Sequence, residues 1–417
     1  MVKRFYYGWI IVGIGLLIKM SGLGFGRFAY AMLLSHMRES LSFNYSQMGL
    51  LSGGILLGYL LFSLGSGVMA TRFGPKKVII LSLFSSSLSM FALSRLSDFF
   101  ALLFFTFIMG AGASGVHIPM TTLPMPWFEK QRLGRALGII QGGTGLGILV
   151  TGFLLPPLLT TMGREAWRSC WLLMSCITFV VAIAGLILLK EKPAQTDLSP
   201  PQKRGNEAPV PGPTMKGEMS LRTIIVVYFI FGFAYNIYAT YFVAFMVEEV
   251  RLAQKTAGNI WAMFGWLSMV SGLLWGFLSD RLGRRRVLIW NNGLISLALL
   301  LPLFFHQLFF IITSTFLFGL TFIGTVTVIA ASIGDQAGEK RASLYGLVTL
   351  IHGIGQLIGT TSGGFLKDLS QSFQLTLTAS LAGFLLCFIL IVLNKKRTQV
   401  ESLPEPGSPQ SRRERKG

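Results

Sequence analysis

The chain is a succession of long apolar stretches separated by short polar or basic ones. Crossing the hydrocarbon core of a bilayer takes roughly 20 apolar residues in a helix. About twelve stretches of that order lie near residues 7–34, 46–70, 78–95, 98–126, 134–160, 167–190, 222–247, 256–279, 287–305, 308–332, 343–366 and 373–394. Within lipid only helices and closed barrels satisfy their own backbone groups, and a barrel requires short runs of alternating polarity. The long unbroken runs predict an all-α membrane protein with about twelve transmembrane helices. Lys3-Arg4 and the apolar run after it resemble a secretory leader. That run continues well past Met20 with no small-residue cleavage site, so it is read as a retained first span.

Composition agrees with this pattern. Of 417 residues 52% are hydrophobic and 13% charged, where a soluble domain carries about 25% charged residues. A net charge of +19 would suit a nucleic-acid binder if it formed a patch. Instead the basic residues collect in alternate loops, such as Arg72, Lys76 and Lys77, then Lys130, Arg132 and Arg135, then Arg281 and Arg284–Arg286. This is the bias of loops on the cytoplasmic side. It places both termini in the cytoplasm and the chain in the inner or plasma membrane, and it removes nucleic acid as a partner. Cys170, Cys176 and Cys387 lie in apolar runs without metal-ligand spacing, so neither a metal site nor a cofactor is expected.

The apolar stretches fall into two sets. Residues 191–221 carry six prolines among polar residues, a composition that cannot bury a core and predicts a flexible cytoplasmic linker. Residues 1–190 and 222–394 are then two six-helix bundles, and 395–417 a disordered basic cytoplasmic tail. The bundles repeat at an offset near 208 residues: Gly24-Phe25 returns as Gly232-Phe233, and Gly138, Gly145 and Gly147 return as Gly346, Gly353 and Gly355.

One loop carries a motif. Gly276-Phe-Leu-Ser-Asp280-Arg281-Leu-Gly283-Arg284-Arg-Arg286 is a basic turn between two spans, and Gly67-x-x-x-Thr71-Arg72-Phe-Gly74 is its counterpart in the first half. The pattern G-x-x-x-D-R-x-G-R-[RK] resembles the signature loop of major facilitator superfamily transporters, between helices two and three and again between eight and nine. The resemblance implies two pseudo-symmetric bundles that rock about a central site. It also implies a conformational latch built from Gly276, Asp280, Arg281, Gly283 and Arg284, with Thr71, Arg72 and Gly74 in the other half. Thr71 stands where the pattern has an acid, so the first-half latch is expected to be weaker. Trp127–Gly138 with Gln141–Gly145, and Tyr7-Gly8-Trp9 opening the first span, resemble bacterial monocarboxylate and oxalate/formate-type carriers. The eighth span lacks the buried acid/arginine pair of animal monocarboxylate carriers, which weakens the expectation of their proton-coupling chemistry.

Candidate chemistry comes from the charges inside the spans. The acidic residues all fall in loops or at span ends, whereas Lys19 and Arg27 lie within the first span. An intramembrane cation costs roughly 2.5–3.5 kcal/mol even on lenient insertion scales, so its retention points to an anionic substrate, a small organic acid such as a monocarboxylate. Arg27 sits among Gly24, Gly26, Phe25, Phe28 and Tyr30. Lys19 is about 80° from it around an ideal helix, so one cavity need not hold both. His117, His352, Gln141, Tyr235, Asn236 and Tyr238 complete the candidates. Tyr235 and Tyr238 are three residues apart on one helical face.

The leading reading is a secondary transporter working by alternating access as a monomer, with H+ or a counter-transported solute as the candidate coupling partner. An enzyme would need a paired-acid, metal or nucleophile set, which the four scattered histidines do not supply. A nucleotide-driven pump would need a phosphate-binding loop that the sequence lacks. A multidrug or metabolite exporter of the same superfamily is the alternative, and a non-transporting receptor a third.

Overall fold

The computed structural model describes residues 6–191, 219–336 and 341–394. The tail at 395–417 and nearly all of the Pro-rich segment lie outside the described residues. Within them the chain is helical. The first helix, α1, runs in three pieces: Tyr7–Lys19, a π-helical stretch Met20–Phe28, and Tyr30–Leu41. Then come α2 (Tyr45–Phe73), α3 (Pro75–Leu93), α4 (Phe99–Thr122), α5 (Lys130–Thr161) and α6 (Ala166–Leu188). The second set is α7 (Leu221–Glu248), α8 (Gln254–Leu282), α9 (Arg284–Phe304), α10 (Leu308–Gln336), α11 (Arg341–Ser370) and α12 (Phe373–Leu393). Among the described residues, eleven helices are long and apolar enough to cross a membrane. The exception is α11, whose inward side carries His352, Gln356 and Thr360.

The same neighbours recur in each half. In the first, α2 and α3 pack on α4, α3 on α6, and α1 on α5; in the second, α8 and α9 pack on α10, α9 on α12, and α7 on α11. Two symmetric seams join the halves, α5 on α8 and α2 on α11. Small residues let the seams close: a Cβ on Gly152 of α5 would fall 2.5 Å from the Gly258 carbonyl of α8. The two motif loops also match. Gly74 (φ +91°) and Gly283 (φ +93°) each turn one helix directly into the next, in a region that side chains other than glycine avoid.

The structure departs from expectation at α1. The expected span ends near 34, but the helix continues to Leu41. The continuation carries Ser35, His36, Arg38 and Glu39, which hydropathy reads as loop although a helix tolerates them outside the lipid. The middle of the helix is also wound wider than an ideal α-helix. Gly22, Gly24 and Gly26 resist it little.

At the end of the bundle away from the motif loops, polar contacts tie the halves together. The Asp368 carboxylate at the end of α11 accepts from Tyr45 N (2.9 Å), Ser46 N (2.6 Å) and Ser46 Oγ (2.6 Å) at the start of α2. This uses free N–H groups and the positive end of a helix dipole. The Tyr45 hydroxyl donates to Glu248, and the Arg38 guanidinium lies 3.7 Å from Glu248 and over the Tyr45 ring. Deeper in, Thr360 Oγ1 donates to Ser52 Oγ across the same seam at 3.0 Å. Asp368→Asn should weaken this clasp. Thiol labelling of a cysteine at Ala239, applied from the clasp side in a background without the native cysteines, should speed up severalfold. Unchanged labelling would show that the clasp does not hold this end shut.

Candidate functional site

The site begins with a close crossing of α1 and α5. A Cβ on Gly24 would fall 2.5 Å from Gly147 Cα, so only two glycines permit the contact. Its counterpart in the second half presses Gly232 of α7 against His352 of α11. These crossings bring Arg27 on α1 and Tyr235 and Asn236 on α7 to the space between the halves, while Lys19 lies within the first half.

Lys19 is fully buried. Its Nζ lies 2.7 Å from His117 Nδ1 on α4 and 2.8 Å from Gln141 Oε1 on α5. Arg27 Nη2 donates to the Tyr235 hydroxyl at 2.6 Å and to Gln356 Oε1. The Arg27 Cζ stands 5.4 Å from the centre of the Tyr59 ring, and that ring meets the His117 ring edge-on at 6.2 Å. Tyr59 therefore joins the two cationic groups into one region. Arg27, Ser52, Ile55, Asn236, Ala239 and Thr240 line a cavity between the halves. Arg27 and Tyr235 occupy matching positions in the first and seventh helices, 208 residues apart, and they touch. Arg27 thus points across the pseudo-symmetry axis and not outward to the interface.

In the second half His352 stacks flat on Tyr228 at 3.8 Å, and its Nδ1 lies 2.8 Å from the Tyr228 carbonyl oxygen. A carbonyl only accepts, so Nδ1 carries the hydrogen. Asn236 Nδ2 reaches the Gln356 carbonyl at 3.4 Å. Tyr238 corrects the expectation drawn from its spacing. It is buried between Phe242 (4.0 Å) and Phe318 (3.8 Å), with its hydroxyl toward Ser314 and Thr315. It does not join the group. Two residues that the sequence reading passed over do: Tyr59, for which the sequence carries no signal, and Gln356, one helical turn beyond His352. Among the described residues, the ion pairs all lie at helix ends, and neither Lys19 nor Arg27 has a carboxylate partner.

At the motif loop, Arg284 is the hub. It donates to Asp280 and to Ser279 Oγ (2.6 Å) on α8, and to Asp335 at 3.1 Å on α10. Arg281 covers Phe277, and Arg285 caps the end of α12 through the Val392 carbonyl at 2.7 Å. In the first half Thr71 Oγ1 donates to its own helix, at the Val68 carbonyl, and Arg72 covers Phe73. The side chain of Glu191, just past α6, lies against Gly74 at the start of α3, bringing an acid to the loop that lacks one in its motif. Sequence reasoning looked for that acid within the motif and missed it.

Two bundles of six helices related by an internal repeat, packed around a polar cavity and each carrying a matched motif loop, define a major facilitator superfamily transporter. Residues 19–393 match the family described as "Uncharacterised MFS-type transporter YbfB", and the chain belongs to that family, whose members are transporters and not enzymes. The hexuronate transporter of Bacillus subtilis (strain 168) is 22% identical, over 84% of this chain and 85% of its own. The probable nitrate/nitrite antiporter NarK1 of Thermus thermophilus is 26% identical, over 63% of this chain and 59% of its own. The crystal structure of a bacterial homologue of the human lysosomal transporter Spinster superposes with a TM-score of 0.77, covering 93% of this chain and 97% of that one at 14% identity.

The hub geometry ranks the motif residues. Asp280 is two-thirds exposed whereas Asp335 is more enclosed, so water compensates the loss of Asp280 better. Asp335→Asn should lower the thermal midpoint more than Asp280→Asn, and Arg284→Ala more than either, by about 1–3 kcal/mol of lost charge-assisted hydrogen bonding. The reverse order would remove Arg284 as the hub.

Proposed function

We propose that this chain carries a small anion across the membrane by alternating access, binding it between the halves at Arg27 and Lys19. One observation carries the reading. Two cations sit inside the helical bundle with only neutral partners: His117 and Gln141 for Lys19, Tyr235 and Gln356 for Arg27. Burying a cation without a counter-charge is costly, and an anionic substrate removes that cost while bound. The names of two relatives are in keeping, since hexuronate, nitrate and nitrite are all anions.

The moving bodies in this reading are 1–190 and 222–394, joined by 191–221. The loops at Gly74 and Gly283 face the cytoplasm of a cell whose inner or plasma membrane holds the chain, as do both termini. The motif loops latch that side, with Arg284 as the charged member in the second half. The two cationic groups come from one chain, so a monomer suffices, and a proton or a counter-transported solute completes the cycle.

The test is a thermal-shift screen of purified protein against small carboxylates, sugar acids, nitrate and lipophilic cations. Anions should stabilise the wild type, and Arg27→Ala should weaken the effect at least about tenfold, as expected for losing a charge-assisted contact of about 1.5–3 kcal/mol. Equal stabilisation of both proteins by anions, or stabilisation by lipophilic cations alone, would reject the anion site.

A further inference from the structure

The two histidines near the cavity are held in opposite ways. His352 Nδ1 faces a carbonyl and must donate, and its ring is stacked on Tyr228. His117 Nδ1 faces the Lys19 ammonium at 2.7 Å. With Lys19 protonated, its ammonium only donates, so His117 Nδ1 accepts and the single imidazole hydrogen sits on Nε2. A second proton on His117 would leave two donors facing each other with nothing to accept. Gln141 Oε1 takes another Lys19 hydrogen at 2.8 Å but brings no charge.

The surroundings add to this constraint. From α1 His117 meets Lys19, and Arg27 lies beyond the shared Tyr59 ring. From α2 it meets Tyr59 itself. The titratable residues of α3 are Lys76 and Lys77 at its loop end, and those of α5 (Lys130, Arg132, Arg135) are also at the loop end. Across the cavity stand Tyr228, Tyr235 and His352. No described carboxylate among these groups offsets a further positive charge.

We infer that Lys19, His117 and Gln141 form a proton site whose second proton is admitted only when an anion occupies the cavity, so that anion and proton are carried together. In the empty site the Lys19–His117 hydrogen bond excludes the extra proton. An anion reaching Arg27 and Lys19 supplies the missing negative charge. Lys19 turns toward it, keeping its three hydrogens, and the freed His117 Nδ1 takes up one proton from the bulk solution to become imidazolium. On release of the anion the repulsion returns, His117 gives that proton up, and the hydrogen bond re-forms. Charge balance is kept, since one negative and one positive charge enter and leave. Binding and protonation are then linked equilibria. Anion affinity is highest at low pH and falls as pH rises from the His117 midpoint of the empty site to that of the occupied one.

This inference rests on the anion-carrier reading, and its test separates the two. Nitrogen NMR of histidine-labelled protein in nanodiscs, with His117→Gln to assign the signal, needs no substrate. The wild type should show His117 with hydrogen on Nε2 and bare Nδ1. Lys19→Met should raise the midpoint of His117 by about one pH unit or more, as expected when an adjacent like charge is removed. Hydrogen on Nδ1, or an unmoved midpoint, would overturn the proton site. Glucuronate is the binding probe, chosen because a hexuronate carrier is among the relatives. Its affinity should fall up to about tenfold per pH unit in the wild type and become independent of pH in His117→Gln. The same pH dependence in both proteins would overturn the linkage. Failure of glucuronate and the other anions to bind at all would reject the carrier reading, while the NMR result would still decide the proton site.

Discussion

The arrangement depends on positive charge held inside a bilayer without its opposite. Lys19 and Arg27 are each satisfied as hydrogen-bond donors, by His117 and Gln141 and by Tyr235 and Gln356. None of these partners is a carboxylate. Hydrogen bonds to neutral groups lower the cost of burial but do not remove the field of the charge. In the proposed reading, this uncompensated charge is what draws an anion to the cavity that Arg27 lines. Of the two groups, Arg27 is the one that crosses between halves, through a partner at its own pseudo-symmetric position.

Around this site the bundle is built to close at either end by different chemistry. At the clasp end Asp368 uses the free N–H groups of α2, and Glu248 gathers Tyr45 and Arg38. At the loop end the carboxylates serve within one half: Asp280 and Asp335 share Arg284. Glycines on both seams, such as Gly152 and Gly258, bring the two halves into close contact. In the proposed reading, alternating access requires that these clasps open in turn at the two ends.

Much of this was legible from hydropathy because the membrane imposes it. A span must be long and apolar, so every helix but α1 could be placed to within a few residues of where it lies, α11 included despite its polar side. The overshoot of α1 to Leu41 was not legible, because hydropathy reports lipid and not helicity. Lys19 and Arg27 were identified as buried cations, yet their relation was calculated for an ideal helix, and the π-helical stretch between them changes it. Tyr238 was misplaced for a related reason. Residues three apart differ by roughly 60° around a helix, and α7 is buried on nearly all sides, so that angle separates the cavity from the core. Gln356, Tyr59 and the Asp368 clasp are tertiary facts, joining residues that no local pattern connects.

The central claim is that the space between the halves is an anion site made by Arg27 and Lys19. Anomalous diffraction from crystals grown in bromide tests it most directly, because the probe is an anion of no particular shape and reports its own position. The account predicts a bromide peak in the cavity, in contact with the Arg27 guanidinium or the Lys19 ammonium. Peaks confined to the exterior arginines of the motif loops, with none between the halves, would contradict it.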